Sequence, residues 1–222
     1  MRDFIQDPKT IEQQSMTIID NILGQKEIDP AIRPMVKRVI HTTADFDFAD
    51  ITVVSPRALP RFREAFTRGN CPVVTDTRMI AAGISRRLLE PYGSEVACFV
   101  DTDRVQELAR DKGITRSMAN IRVAAEQYPG GIYLIGNAPT ALFELLRLVG
   151  AGSMAPALVV GVPVGFVGAE EAKEDLMQTD LPYVCTRGRK GGSPVAVAVF
   201  HALLQLLGPP QEPPGKNEND KV

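Results

Sequence analysis

The chain has 222 residues, and 25 Lys and Arg against 27 Asp and Glu leave a formal net charge of −2, which excludes a strongly basic nucleic-acid coat. Apolar residues at 44% and charged residues at 23% are ordinary globular values, so the chain can bury a sizeable core and is not disordered by default. No run approaches the roughly 18 apolar residues of a membrane span, and the opening MRDFIQDPKT lacks the pattern of a secretory signal, so a cytoplasmic protein without membrane contact is expected.

Two helices come first. Asp7 followed by Pro8 has the form of an N-cap with proline at the first helical position, and Asp29 followed by Pro30 repeats it. In the first helix Ile11, Ser15, Ile18, Ile19 and Ile22 share a face, so a hydroxyl stands within an apolar stripe. That suits either close helix packing around a small residue or contact with a large ligand. In the second helix Ile32, Met35, Val36, Val39 and Ile40 form the apolar stripe, which puts Arg38 and His41 together on the opposite face. The helix C-terminal end favours a protonated imidazole and the guanidinium opposes it. His41 is therefore a surface residue or a site residue, not a core one.

From residue 51 the pattern changes to short apolar runs without alternation: ITVV at 51–54, CPVVT at 71–75, EVACFV at 95–100, GIYLIG at 131–136 and ALVVGV at 157–162, with YVC at 183–185 as a candidate sixth. Such runs are strands covered on both faces. Helical segments at 57–68, 77–90, 103–112, 115–127, 138–150, 168–178 and 194–207 separate and follow them, the last with Ser193 as cap, Pro194 as opener and Gly208 as stop. The expected fold is α/β, a three-layer α/β/α domain over residues 1–208 with a mostly parallel sheet of five or six strands, preceded by the two N-terminal helices. Residues 209–222, Pro-rich and then polar, are expected to form a disordered tail.

Cys71, Cys98 and Cys185 are widely separated and lie beside apolar residues, which points to buried thiols in strands. With only His41 and His201 as histidines, ligands for a structural metal are too few. His201 lies in the almost wholly apolar VAVAVFHALLQLL and is expected to pack with a hydrogen-bonded ring.

Ligands of doubly wound sheets bind beyond the carboxyl ends of the strands. The residues there include Asp76-Thr77-Arg78, Asp101-Thr102-Asp103, Gly136-Asn137-Ala138-Pro139 and Arg187-Gly188-Arg189-Lys190-Gly191-Gly192-Ser193. Most serve equally as turn and cap residues. The last, with three cations and three glycines before a helix, is either an anion site or a solvated basic loop. GVPVGFVG does not fit GxGxxG, GRKGGS does not fit GxxxxGK[ST], and no GxSxG elbow occurs. What remains is one candidate acid/base with scattered cations, an inventory suited to proton transfer.

The segment HTTADFDFAD at 41–50 resembles the precorrin-8X methylmutase family of cobalamin biosynthesis. So do the Glu12-to-Ser15 region, DTRMIAAGI from Asp76, TRSMANIR from Thr115, GNAPTALFEL from Gly136, PALVVGVPVGFVGAEEAKEDL from Pro156 and RGRKGGSPVAVA from Arg187. The resemblance implies an isomerase that moves a methyl group between adjacent ring carbons of a tetrapyrrole, precorrin-8X or its cobalt analogue, in a homodimer with the substrate site near the subunit interface and with no cofactor. It also implies His41 as proton donor and acceptor and Ser15 and Arg38 as substrate contacts. Thr42 and Thr43, from the same motif, and Asp76, Arg78, Arg116, Asn137, Arg189 and Lys190, from strand-end position or charge, complete the candidates for holding a polycarboxylate. The helix N-terminus after Asn137 is a further anion site. The competing expectations are a tetrapyrrole carrier without chemistry and a nucleotide-dependent methyltransferase or dehydrogenase.

Overall fold

The computed structural model describes residues 5–208; the expected tail from Pro209 lies outside the described residues. Six strands, β1 (Thr52–Val54), β2 (Val73–Thr75), β3 (Val96–Ala97), β4 (Ile132–Ile135), β5 (Leu158–Gly161) and β6 (Tyr183–Thr186), form one sheet in the order β1-β6-β5-β4-β2-β3. Every pairing is parallel except that of edge strand β1 with β6. The mostly parallel α/β architecture is thus as expected, and YVC is the start of a true strand.

Side chains alternate across the sheet, and both sides are buried. Val73, Ile132, Leu134, Leu158, Val160 and Val184 face a core shared with α1 (Pro8–Leu23), α2 (Arg33–Thr43), α4 (Ala58–Arg68), α5 (Arg78–Gly83) and α11 (Ser193–Leu207). Val74, Tyr133, Ile135, Val159, Tyr183 and Cys185 face α8 (Arg116–Gln127), α9 (Pro139–Gly150) and α10 (Ala169–Met177), with α7 (Asp103–Lys112) packed outside α8. Burial on both faces is why these runs show no apolar/polar alternation.

The most apolar helix is α11. It packs on β4 and β5 on one side and on α2 on the other, so it is covered nearly all round. Met35, Val36, Val39 and Ile40 of α2 are buried against it as the stripe requires. Outside α2 lies α1, and here the expected stripe splits. Ile19 and Leu23 turn inward, whereas Ile11, Ile18 and Ile22 are 45%, 56% and 58% exposed.

Several local expectations need correction. The N-cap at Asp7 is present, its carboxylate accepting from Thr10 N at 2.7 Å. Asp29-Pro30, however, forms a separate turn in which Asp29 Oδ1 accepts from Ala31 N at 2.9 Å, and α2 begins only at Arg33 with Pro34 in its first turn. Segment 77–90 is not one helix: α5 stops at Gly83, Ile84 is extended and buried, and α6 (Arg86–Leu89) follows. Gly83 stands at the break and packs closely on α11, where a Cβ would lie 2.9 Å from Val197 Cγ2. β3 ends at Ala97 because the chain leaves the sheet to let Phe99 N donate to Asn120 Oδ1 at 2.8 Å. Gly192, not Ser193, is the N-cap of α11, and Ser193 Oγ bonds instead with Thr77 Oγ1 at 3.2 Å. Gly208 closes the helix as expected. Of the cysteines only Cys185 is within a strand; Cys71 precedes β2, and Cys98, half-buried, follows β3.

On the α8/α9 side, Glu144 is buried and receives Arg122 Nε and Arg147 Nη2, both at 2.7 Å. Burial acts to raise its carboxyl, but the two guanidinium groups together hold it below the usual range. A depressed folded-state value means stability that is present above the unfolded value and lost as pH falls through the folded one. Glu144→Gln should therefore cost about 1–3 kcal/mol at pH 7, limited because Arg147 is half-exposed. In urea titrations the wild-type advantage should shrink as pH drops below the ordinary value of 4.5. A gap that stays constant down to pH of about 3 would show that the Arg–Glu pairs do not set it.

Candidate functional site

At the carboxyl ends of the parallel strands the loops lock onto one another. Asp76, directly after β2, is fully buried; its Oδ1 accepts from Gly136 N at 3.1 Å and its Oδ2 from Asn137 N at 2.9 Å and Ala138 N at 2.8 Å. Burial pushes this carboxyl above the usual carboxylate range, and the three N–H donors pull the other way. The start of α9, expected as an open anion site, is therefore filled by the protein's own carboxylate. The Asn137 side chain remains exposed beside it. Gly136 and Gly191 have no space for a side chain: a Cβ on the first would lie 2.9 Å from Gly192 O, and on the second 2.2 Å from Val162 O. Gly192 N donates to Val162 O at 2.9 Å, so the basic loop is a clamp on the sheet as well as a carrier of charge.

Between α2, α5 and the start of α11 lies a cavity of about 400 Å³. Arg38, Thr42, Met79, Ser193, Val197 and His201 are among its walls. A neighbouring depression of about 380 Å³ has Glu12, Met16, Arg33, Lys37 and Gln205 around it, and Arg38 belongs to both. Arg38 Nη1 lies 3.4 Å from Glu12 Oε1. Ser15 is half-buried between Glu12 and Met16 in sequence, its Oγ donating to Ile11 O at 2.8 Å. His41 is exposed at the last turn of α2, one turn beyond Arg38, and no hydrogen bond or ion pair with the described residues engages its ring. Thr42 and Thr43 donate their hydroxyls to Arg38 O and Val39 O, both at 2.9 Å.

The other predicted cations fall elsewhere. Arg78 and Arg116 converge on Asp101, at 3.3 and 3.6 Å. Arg78 and Asp101 line a separate depression with Arg86 and Cys98. Arg189 is 3.7 Å from Glu170 Oε2, its guanidinium 6.0 Å from the centre of the Phe166 ring. Phe166 and Val167 are almost wholly exposed there. Lys190 is engaged by Asp45 and Asp47.

His201 was expected to be a packing residue, and its Nε2 does accept a hydrogen bond, from Ser85 N at 3.1 Å. It also lines the cavity opposite Arg38, which no sequence signal marked, because contact between α2 and α11 spans the whole chain. Burial and the Arg38 charge both push this imidazole below its usual value. An Nε2 that accepts leaves the ring proton of the neutral form on Nδ1.

Burial pushes the Cys71 and Cys185 thiols up to about 11 and about 12, far from a thiolate nucleophile. Among the described residues no group of three or more His, Cys, Asp and Glu is arranged to hold a metal ion, and no helix is long and apolar enough to cross a membrane.

The precorrin-8X methylmutase family model matches residues 10–206. The chain belongs to this family. It is 46% identical over 210 residues to the cobalt-precorrin-8 methylmutase of Salmonella typhimurium, covering 92% of this chain and 98% of that one. To the precorrin-8X methylmutase of Pseudomonas aeruginosa it is 40% identical, covering 91% and 98%. The crystal structure of the precorrin-8X methylmutase of Thermus thermophilus superposes with a TM-score of 0.81 at 39% identity, over 90% of this chain and 96% of that one. This methylmutase is accordingly an isomerase of cobalamin biosynthesis, and neither the carrier nor the nucleotide-dependent reading is needed.

Because Asp76 supplies the acceptor for two buried N–H groups and one part-buried one, Asp76→Ala should destabilise the methylmutase by about 2–4 kcal/mol. Chemical denaturation measures it, and wild-type stability would mean the loop after β4 holds its shape without the carboxylate.

Proposed function

We propose that His41 donates a proton to the tetrapyrrole and takes one back as the methyl group migrates between adjacent ring carbons. The single observation that carries this is placement: an exposed imidazole, free of partners among the described residues, one helical turn from an arginine that walls two adjoining depressions. A methyl shift within one molecule needs no donor. Protonating the conjugated ring draws electron density from it and eases migration, and removing the proton restores the chromophore. An imidazole can do both near neutral pH.

Arg38 in this reading holds a carboxylate arm, exchanging its long contact to Glu12 for a charge-assisted bond to the substrate. Ser15 precedes Met16, which lines one of the depressions that Arg38 walls, and Arg189, held only loosely by Glu170, offers a second cation at the strand ends. Metal-free precorrin-8X and its cobalt form present the same carboxylate rim to these groups. Three free cysteines, two of them buried, fit a reducing cytoplasm.

We further propose a homodimer formed through the outer face of α1. Ile11, Ile18 and Ile22 stand exposed at helical spacing on the helix that borders the Arg38 depression. A macrocycle with acetate and propionate arms exceeds either open depression, so a second copy of the chain supplies the missing wall.

Two experiments test these readings. His41→Ala should lower kcat by about 10²–10⁴-fold in an absorbance assay run with both substrate forms, while the coloured product still binds; lost binding with a normal residual rate would reverse the assignment. Ile18→Asp should convert the dimer to monomers in sedimentation analysis and lower turnover with it. An unaltered dimer would place the interface on another face.

A further inference from the structure

We propose that Lys190 is a positioning residue for the methyl shift: it ties the glycine-rich loop to the turn after α2, and so holds the helix end that presents His41, instead of contacting a carboxylate of the substrate. The inference rests on the reading of His41 given above.

The main chain of Lys190 is fixed from below. Lys173 of α10, wholly buried and without a carboxylate partner among the described residues, donates from Nζ to Lys190 O at 2.9 Å and lies 3.4 Å from Thr186 Oγ1. Thr186 Oγ1 at the end of β6 donates to the same carbonyl at 2.8 Å. Two donors from two elements thus meet on one oxygen, and the next residue, Gly191, is pressed against Val162 O. The loop at this point is an extension of the sheet. Burial pushes the Lys173 ammonium below its usual range, which the nearby Cys185 and Glu170 offset only in part.

The side chain of Lys190 then leaves the sheet. Its Nζ lies 2.5 Å from Asp45 Oδ2 and 2.6 Å from Asp47 Oδ2, on the segment between α2 and α3 (Phe48–Ile51). That segment is joined stiffly to the end of α2. Ala44 is left-handed, with φ 55°, and donates its N–H to Ile40 O at 2.7 Å. Asp45 N donates to Thr43 Oγ1 at 3.3 Å, Thr43 Oγ1 to Val39 O at 2.9 Å, and Asp47 N to Asp45 Oδ1 at 3.0 Å. A displacement of Asp45 is therefore a displacement of the last turn of α2, and His41 is in that turn.

Two features argue against a substrate contact. The ammonium already has two carboxylates, which keep it protonated above its usual range, so an incoming arm would have to displace one of them. Without the lysine, Asp45 and Asp47 would repel each other across the turn they close. Exposed ion pairs add little to global stability, so the effect belongs in turnover and not in folding.

Lys190→Ala should lower kcat about tenfold with KM within about twofold. Lys190→Arg, which can still bridge two carboxylates, should recover most of the loss. The double variant Asp45→Asn/Asp47→Asn should show the same fall in kcat, and adding Lys190→Ala to it should produce no further fall. The chain has two histidines, so the His41 ring resonance is identified by its loss in His41→Ala; it should broaden or shift in Lys190→Ala and return in Lys190→Arg. This readout does not need turnover, so it separates a failure of the positioning role from a failure of the acid/base role. A salt-sensitive rise in KM at constant kcat, additive effects in the cycle, or an unmoved His41 resonance would overturn the proposal.

Discussion

The arrangement depends on one constraint, the burial of both sides of α11. A helix this apolar cannot face water, and the sheet covers only one side of it, so α2 must cover the other. That packing sets the site. α11 starts at the strand ends, where Gly192 and Ser193 meet the loops after β2, β4 and β5, and α2 runs alongside with its polar edge turned outward. Arg38 and His41 are delivered to the rim of the doubly wound sheet by a helix that is not part of its βα repeat. The two depressions that share Arg38 thus lie beside the strand ends, with α1 bordering the outer one.

Charge is distributed to match. Among the candidate cations, Lys190 has two close carboxylate partners, and Arg78 and Arg116 share one. Among the described residues all four candidate arginines have long contacts, 3.3 and 3.6 Å for Arg78 and Arg116 and 3.4 and 3.7 Å for Arg38 and Arg189. A guanidinium that is loosely paired can rotate toward an arriving carboxylate at little cost, whereas a lysine bound at 2.5 Å to two is part of the framework. Proximity to the strand ends alone does not set Lys190 apart from the arginines; the close pairing of its ammonium does.

Much of the fold was legible because its signals are local. Unalternating apolar runs mark strands covered on both faces, and each run does contain one. The 3.6-residue period of α2 put His41 outside the core, and it is exposed. What escaped was set by contacts distant in sequence. The glycine at the break in 77–90 is packed on Val197, and the role of Asp76 comes from N–H groups about sixty residues away. The α1 stripe was read as a single face, but Ile19 meets the core while Ile11, Ile18 and Ile22 point out. The basic loop illustrates the limit best. Its composition shows cations beside glycines, but not that Gly191 is dictated by Val162 O or that Lys190 reaches a turn more than a hundred residues earlier.

The economy of the chemistry fits the rigidity of this framework. In the proposed mechanism a migration within one molecule has no second reactant to bring together, so orienting the macrocycle relative to His41 carries much of the catalysis. Fixing the basic loop to the sheet through Lys173 and Thr186, and the end of α2 to the loop through Lys190, reduces the freedom of the imidazole without touching the imidazole itself. The ring of His41 is unbonded among the described residues, while the backbone that carries it is held from three directions: by α11 beneath, α1 alongside and the basic loop at its end.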